Sequence, residues 1–307
     1  MTQQPIAWVL NLDAENELEV AGSYTPSRHM QAIVERESRR LLQTLVGPGD
    51  IVLGTGRDAD ARGLPGLCWS PTRSGLERLR QAGATPIATP DQDVLRRVNA
   101  RPFAADVHAK LEGNEAFTKE LATDLDRTLT LLARSAPSEG WLVRRSFGAS
   151  GRGRRRIYAG APDAAERAWL EKSLATGPLI LEPWVPITRE HTRSGWVDRE
   201  GHVHAAGPCF QATTREGAWS LTEAVTSGDI DRKEDAALEA AFHAAGRALA
   251  AEGYFGPFGI DAFRYRTGRP GSPEALNPLS EINARFTMDW TLGMGDGHAA
   301  VRKTFLP

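Results

Sequence analysis

The sequence predicts an α/β protein, with an open α/β sheet in its first third and α+β lobes after it. Three observations lead there. Strand-like and helix-like segments alternate over the first hundred residues, the pattern of an open, mostly parallel sheet. A glycine- and arginine-rich stretch, "GASGRGRRR", separates two strand-like runs near the middle of the chain. Two late strand-like runs, "FGPFGIDAFRYR" and "LSEINARF", place oxygen-bearing side chains between apolar ones.

Taken in order, residues 6–12 are a short apolar run ending at Asp13. Ser27 can cap a helix in which Met30, Ile33, Val34, Leu41, Leu42 and Leu45 recur at helical spacing. "GPGD" stops it, and residues 51–54 follow as a strand. "SGLERLRQAGA" reads as a helix, "TPIA" as a strand and "DQDVLRRV" as a helix. Residues 101–133 read as mostly helical and polar. "GWLVRRSFGASGRGRRRIYAG" gives strand, glycine turn, strand, and a helix follows over about residues 163–175. "PLILEPWV" is an apolar strand, and "SGWVDREGHVHAAG" reads as a hairpin. Residues 235–250 form an amphipathic helix with Leu238, Ala241, Phe242, Ala245 and Leu249 on one stripe. "FGPFGIDAFRYR" is a strand, "RTGRPGSPEALNP" a loop and "LSEINARF" the closing strand.

The chain has 307 residues, 25% charged and 41% hydrophobic, enough for two or three compact lobes. A formal net charge of -2 excludes a surface that binds nucleic acid everywhere, so any basic site is local. Cys68 and Cys209 have no metal-ligand spacing and read as buried, reduced thiols. The N-terminus lacks a basic segment and a signal-length apolar run, and no run approaches the roughly 18 apolar residues of a membrane span. A soluble, cytoplasmic protein without membrane contact is expected; an oligomer is left open.

Alternation puts Glu281, Asn283 and Arg285 on one side of the last strand, and Ile282, Ala284 and Phe286 on the other. Adjacent antiparallel strands would bring Asp261 beside Glu281 and Asn283. Two carboxylates and an amide oxygen suit Mg²⁺ when phosphate oxygens complete its shell. Arg285 beside them would neutralise remaining phosphate charge. In the glycine turn, Gly148, Gly151 and Gly153 would let backbone N–H groups approach a phosphate chain closely. Arg144, Arg145, Arg152, Arg154, Arg155 and Arg156 surround it, and Arg154 to Arg156 read as solvated. Alone, this turn suits a solvated hairpin equally well. In "LILEPWVPITREHT", the edge around Glu182, Trp184 and Val185 could read an adenine, and Glu190 could hold ribose hydroxyls.

These stretches, in this order, resemble the ATP-grasp superfamily over roughly residues 99–294. "WLVRRSFGASGRG" resembles its strand and glycine-rich loop, "LILEPWVPITRE" its hinge, and "GPFGIDAF" with "LNPLSEINARF" its metal-binding strands. The resemblance implies lobes at 1–98 (a preceding α/β domain), 99–185 and 186–307. It implies that Asp261, Glu281 and Asn283 bind two Mg²⁺ ions, or Mn²⁺, bridging ATP phosphates. Arg285 would hold the transferred phosphoryl group. Glu182, Trp184 and Val185 would meet adenine and Glu190 ribose, while the loop from Gly148 through Ser150 and Gly151 to Gly153 closes over phosphate. Arg144 and Arg101 stand where the family usually has lysines. The implied reaction joins a small-molecule carboxylate to an amine through an acyl phosphate, releasing ADP and phosphate. Phosphoryl transfer to a hydroxyl would use the same ATP site. An arginine-rich nucleic-acid-binding module would give Asp261, Glu281 and Asn283 no purpose.

Other residues point less clearly. His202 and His204 share a strand face but lack further ligands for zinc, and read as hairpin residues. "GTGR" at 54–57 lacks the third glycine of a dinucleotide loop. Asp13, Ala14 and Glu15 end the first strand, where a substrate amine could bind, and read as a solvated acidic turn. His191 follows Glu190 and could line the site, but reads first as a capped or exposed histidine.

Overall fold

The structure is a computed structural model. It describes residues 4–20, 24–54, 60–112, 117–134, 140–148, 151–158, 160–214, 219–226, 228–266, 273–295 and 297–306. Ser150, and Thr55 to Arg57 of the "GTGR" stretch, lie outside the described residues.

The first part of the chain runs β1 (Ala7–Val9), α1 (Ala14–Glu19), α2 (Arg28–Leu41), β2 (Ile51–Val52), β3 (Pro65–Cys68), α3 (Arg73–Gln81), β4 (Thr85–Pro86) and α4 (Gln92–Val98). The strands form a parallel sheet in the order β2-β1-β3-β4. Ser27 caps α2 as expected, its Oγ accepting from the Met30 N–H at 3.2 Å. Strand β3 and helix α1 are additions to the expected pattern. Asp13, Ala14 and Glu15 are buried at the start of α1 and do not form a solvated turn. Glu17 explains the burial: its carboxylate accepts from Ser74 N and Oγ and from Thr72 Oγ1, docking α1 on the start of α3.

The middle part runs α5 (Arg101–His108), β5 (Glu120–Ala122), α6 (Leu125–Leu132), β6 (Trp141–Arg145), β7 (Arg154–Ile157), α7 (Ala164–Leu174) and β8 (Leu179–Pro183). Its sheet is antiparallel, in the order β5-β8-β6-β7. The short edge strand β5 interrupts the stretch expected to be helical, because Leu121 and Ala122 pair with Ile180 and Leu179. Helix α7 opens on a capping box between Asp163 and Glu166.

The last part contains β9 (Ile187–Val197), β10 (Val203–Thr213), β11 (Trp219–Ala224), α8 (Arg232–Ala251), β12 (Gly256–Arg266), β13 (Glu274–Asn283), α9 (Trp290–Met294) and α10 (His298–Phe305). Its five strands are antiparallel, in the order β11-β10-β9-β12-β13. Helix α8 covers one face: Phe242 stacks on Phe258 at 4.3 Å, and both share a core with Ile260, Ala245 and Leu249. The opposite face is left for the site.

Strand β13 starts earlier than expected and runs through Pro278. Pairing shifts there: Asp261 faces Glu281, but Phe263 faces Asn277. A proline donates no ladder hydrogen bond, so an irregularity at this point is where a strand tolerates one. The strand also ends at Asn283, which leaves Arg285 beyond it and not on the alternating strand face. Among the described residues, no helix is long and apolar enough to cross a membrane.

Candidate active site

Strands β12 and β13 build the floor. Asp261 pairs with Glu281, and Gly259 with Asn283, in adjacent register positions. Phe258 and Ile260 face the α8 core, so Asp261 faces a cavity of about 720 Å³ that Glu281, Asn283 and Arg285 also line. Asn283 Nδ2 donates to Asp261 Oδ2 at 3.1 Å, and Arg285 Nη2 donates to Asn283 Oδ1 at 2.9 Å. Arg285 thus stays beside the cluster although it lies past the strand end.

The middle sheet supplies cations from above. Arg144 on β6 forks between two carboxylates, Nη1 to Glu182 at 3.2 Å and Nη2 to Glu281 at 2.5 Å. Arg101, at the start of α5, reaches Glu281 at 3.0 Å and also donates to the carbonyls of Arg145 and Gly148. Burial would push Glu281 up, but Arg101 and Arg144 outweigh it and hold its pKa near about 2. Burial, then the charge of Arg144, lowers Arg101 to about 10. Asp261 differs. Burial first, then the negative charges of Glu281 and Asp289, raise its pKa to about 7. Its carboxyl accepts from an amide and pairs with no cation among the described residues.

The glycine hairpin joins β6 to β7. Arg145 N–H donates to Gly153 O at 2.8 Å, closing the turn. Gly148 and Gly153 have φ of 153° and 71°. A Cβ at Gly148 would meet Arg152 O at 2.5 Å, and one at Gly153 would meet Phe147 O at 2.9 Å, so neither position accommodates a side chain. Gly148 and Gly151 line the cavity.

The hinge between β8 and β9 forms the remaining wall, with Glu182, Trp184, Val185 and Glu190 all lining the cavity. Glu182 is 3% exposed and its Oε2 has no partner among the described residues. Trp184 N–H donates to Gly140 O, and its ring holds the Arg156 guanidinium at 4.6 Å. Arg156 also lies over Tyr158, and Arg155 over Trp169, so these two are not simply solvated. Glu190 accepts from Thr213 Oγ1 at 2.7 Å.

The described candidate residues therefore gather around one cavity. His191 also lines the cavity but is buried, its Nε2 3.0 Å from Glu234 on the α8 side, which corrects its reading as exposed. His202 and His204 both meet Asp198 Oδ2 at the hairpin turn, and among the described residues no three or more His, Cys, Asp or Glu side chains are grouped to hold a metal. Burial pushes the thiols of Cys68 and Cys209 up to about 12, as expected of inert thiols.

Two residues at the site, Asp289 and Lys119, escaped the sequence reading, and Glu15 was read mainly as a solvated turn residue. Glu15 pairs with Arg285 from the first sheet, its Oε1 accepting from Nε at 2.7 Å. Asp289 is buried and its Oδ2 accepts from Thr192 Oγ1 at 3.0 Å and Ser194 Oγ at 2.5 Å. Lys119 donates to the carbonyls of Leu279 and Ser280 at 3.0 and 2.7 Å, at the β13 irregularity, and burial lowers its pKa to about 8. Lys119 had one available signal, its rarity: five of the 37 basic residues are lysines.

Asp261 and Glu281 offer carboxylate oxygens to a divalent cation, and Asn283 would join them by turning its Oδ1 from Arg285. Asp261 is a carboxyl raised by burial first and then by the negative charges of Glu281 and Asp289, and a bound cation offsets the charge contribution. Two carboxylates and one amide are too few for a closed protein shell, and hard cations with open positions take phosphate oxygens there.

No family model and no curated protein sequence matches the chain. Solved structures do. D-alanyl-alanine synthetase A from Vibrio cholerae is 12% identical with a TM-score of 0.54, over 100% of this chain and 95% of that one. Biotin carboxylase from Campylobacter jejuni, in a β,γ-ATP complex, is 14% identical with a TM-score of 0.53, over 93% and 66%. N5-carboxyaminoimidazole synthetase from Staphylococcus aureus, complexed with ADP, is 11% identical with a TM-score of 0.50, over 97% and 73%. At such identities the likeness concerns architecture, and it agrees with the three sheets, the glycine hairpin and the paired acidic strands: the chain has the ATP-grasp fold.

Proposed function

We propose that the protein is an ATP- and Mg²⁺-dependent ligase that joins a carboxylate to an amine, with lobes at 1–98, 99–185 and 186–307. The observation behind this reading is the convergence of Asp261, Glu281 and Asn283 with Arg101, Arg144 and Arg285 beneath the glycine hairpin. Solved structures of the same fold hold ADP or an ATP analogue, which supports a nucleotide in the equivalent cleft.

In this reading adenine lies against Trp184 and Val185, with Glu182 Oε2 available to an exocyclic N–H. Glu190 holds ribose. The Gly148–Gly153 turn and Arg101 and Arg144 grip the phosphates, exchanging part of their contact with Glu281 for the nucleotide. Mg²⁺ held by Asp261, Glu281 and Asn283 would screen the phosphate charge. Arg285 orients the acceptor carboxylate for in-line attack. The carboxylate oxygen bonds to the γ-phosphorus as the β,γ-bridging bond breaks, giving acyl phosphate and ADP. The amine then adds at the acyl carbon, the C–O bond to phosphate breaks, and the amine proton leaves to phosphate or water.

The test is an ADP-release screen with Mg²⁺ against pooled amino acids and small carboxylates. Release that requires an acid and an amine together is the expected result. Release that requires only an alcohol would replace ligation with phosphoryl transfer to a hydroxyl.

A further inference from the structure

One end of the cavity has a composition that nucleotide binding does not explain. Helix α2 carries Met30, Ile33 and Val34 at helical spacing, yet none belongs to a core cluster and only Leu41 of the helix is fully buried. The stripe lines the same cavity as Leu12, Trp69 and Met288. Leu12 and Trp69 follow the C-terminal ends of β1 and β3, the edge at which open parallel sheets receive ligands.

Arg285 joins this apolar wall to the acidic floor, its guanidinium 5.6 Å from the Trp69 ring centre. Its Nη1 bonds only the Phe286 carbonyl among the described residues, so one Nη1 hydrogen is open to a ligand. Two carboxylates at this end are paired with arginines, Glu15 with Arg285 and Glu37 with Arg36 and Arg40, while Asp289 Oδ2 accepts from Thr192 and Ser194. A ligand carboxylate gains the open Nη1 hydrogen of Arg285. Arg40 lies over the Trp219 ring at 5.0 Å, tying α2 to β11, whose Trp219 lines the cavity.

We propose that this end selects a carboxylic acid with an apolar alkyl or aryl body, its carboxylate toward Arg285 and its body on the Met30–Ile33–Val34 stripe, Trp69 and Met288. Its role as the activated substrate rests on the ligase reading; the binding preference itself does not.

The test titrates the full chain, without nucleotide, with octanoate, 3-phenylpropanoate, acetate and octan-1-ol, following tryptophan emission and heat. Octanoate is expected to saturate and to bind about a hundredfold or more tighter than acetate, losing roughly three- to fourfold per methylene removed. Octan-1-ol, lacking the carboxylate, is expected to bind at least about tenfold more weakly than octanoate. Trp69→Phe should remove the emission change, and Ile33→Asp, with an unchanged melting temperature, should weaken octanoate by about tenfold or more. Octanoate no tighter than acetate, or unaffected by both substitutions, overturns the proposal.

The same samples with ATP, Mg²⁺ and hydroxylamine separate the two readings, because hydroxylamine traps an acyl phosphate as hydroxamate. Hydroxamate from small polar acids without an apolar preference overturns the selectivity and keeps the ligase. Saturable octanoate binding with no hydroxamate from any acid overturns the ligase and keeps the apolar subsite.

Discussion

At the scale of single residues, Arg144 decides most. Its two Nη atoms reach different carboxylates, Glu182 at 3.2 Å and Glu281 at 2.5 Å, on opposite sides of the cleft. A lysine ammonium is a point charge and does not span both. Arg144→Lys is thus expected to lower stability by about 1–3 kcal/mol, since it leaves a buried carboxylate short of a partner, and to weaken ATP binding. Denaturant unfolding and nucleotide titration would measure both; unchanged values would mean that charge alone suffices there. Glu281→Gln should cut ATP turnover by about a hundredfold or more while the fold persists, and circular dichroism beside an ADP assay would check it. Full turnover would remove Glu281 from the metal role. Most of these residues were legible because strand alternation and strand order turn sequence spacing into proximity: Asp261 opposite Glu281 is a register fact. Asp289 and Lys119 were not, and Glu15 was read only as a turn residue that could meet a substrate amine, because each reaches the site through tertiary contacts that no local period encodes.

At the scale of elements, the glycine hairpin and helix α8 invite separate tests. Gly148→Ala would drive a Cβ into Arg152 O at 2.5 Å, at a φ of 153° that suits glycine. The hairpin would have to shift, so KM for ATP should rise by about tenfold with little change in melting temperature. Helix α8 is pinned to the large sheet by Glu234, which meets His191 and Arg264. Burial would raise Glu234, but the hydrogen bonds from His191 and Arg264 outweigh it and lower its pKa to about 2. A depressed carboxylate contributes stability that is present above its unfolded pKa and lost as pH falls. The expected loss lies between about pH 4.5 and pH 2 and amounts to about 2–3 kcal/mol. Glu234→Gln should flatten that limb of a stability–pH curve; an unaltered slope would assign the acid sensitivity elsewhere. Long periodic elements such as α2 and α8 were readable in the sequence. Strands β3, β5 and β11 were not, being short or held by pairing partners more than by their own pattern.

At the scale of the whole molecule, the cavity is a joint product of three sheets. The parallel sheet contributes Leu12, Trp69 and, through α1, the Glu15 partner of Arg285. The middle sheet contributes the arginines and glycine hairpin, and the large sheet contributes the acids. Arg144 reaches from the middle sheet, and Arg101 from helix α5, to Glu281 on the large sheet, so in the proposed reading a nucleotide would compete with these contacts for the same groups. The central claim is that Asp261, Glu281 and Asn283 hold a nucleotide-bound divalent cation beneath the hairpin. Crystals grown with Mn²⁺ and a non-hydrolysable ATP analogue test it most directly, through the anomalous signal of the metal. The account predicts a manganese peak bonded to Asp261, Glu281 and the analogue's phosphates; a nucleotide bound elsewhere, or manganese bonded to none of these residues, would contradict it.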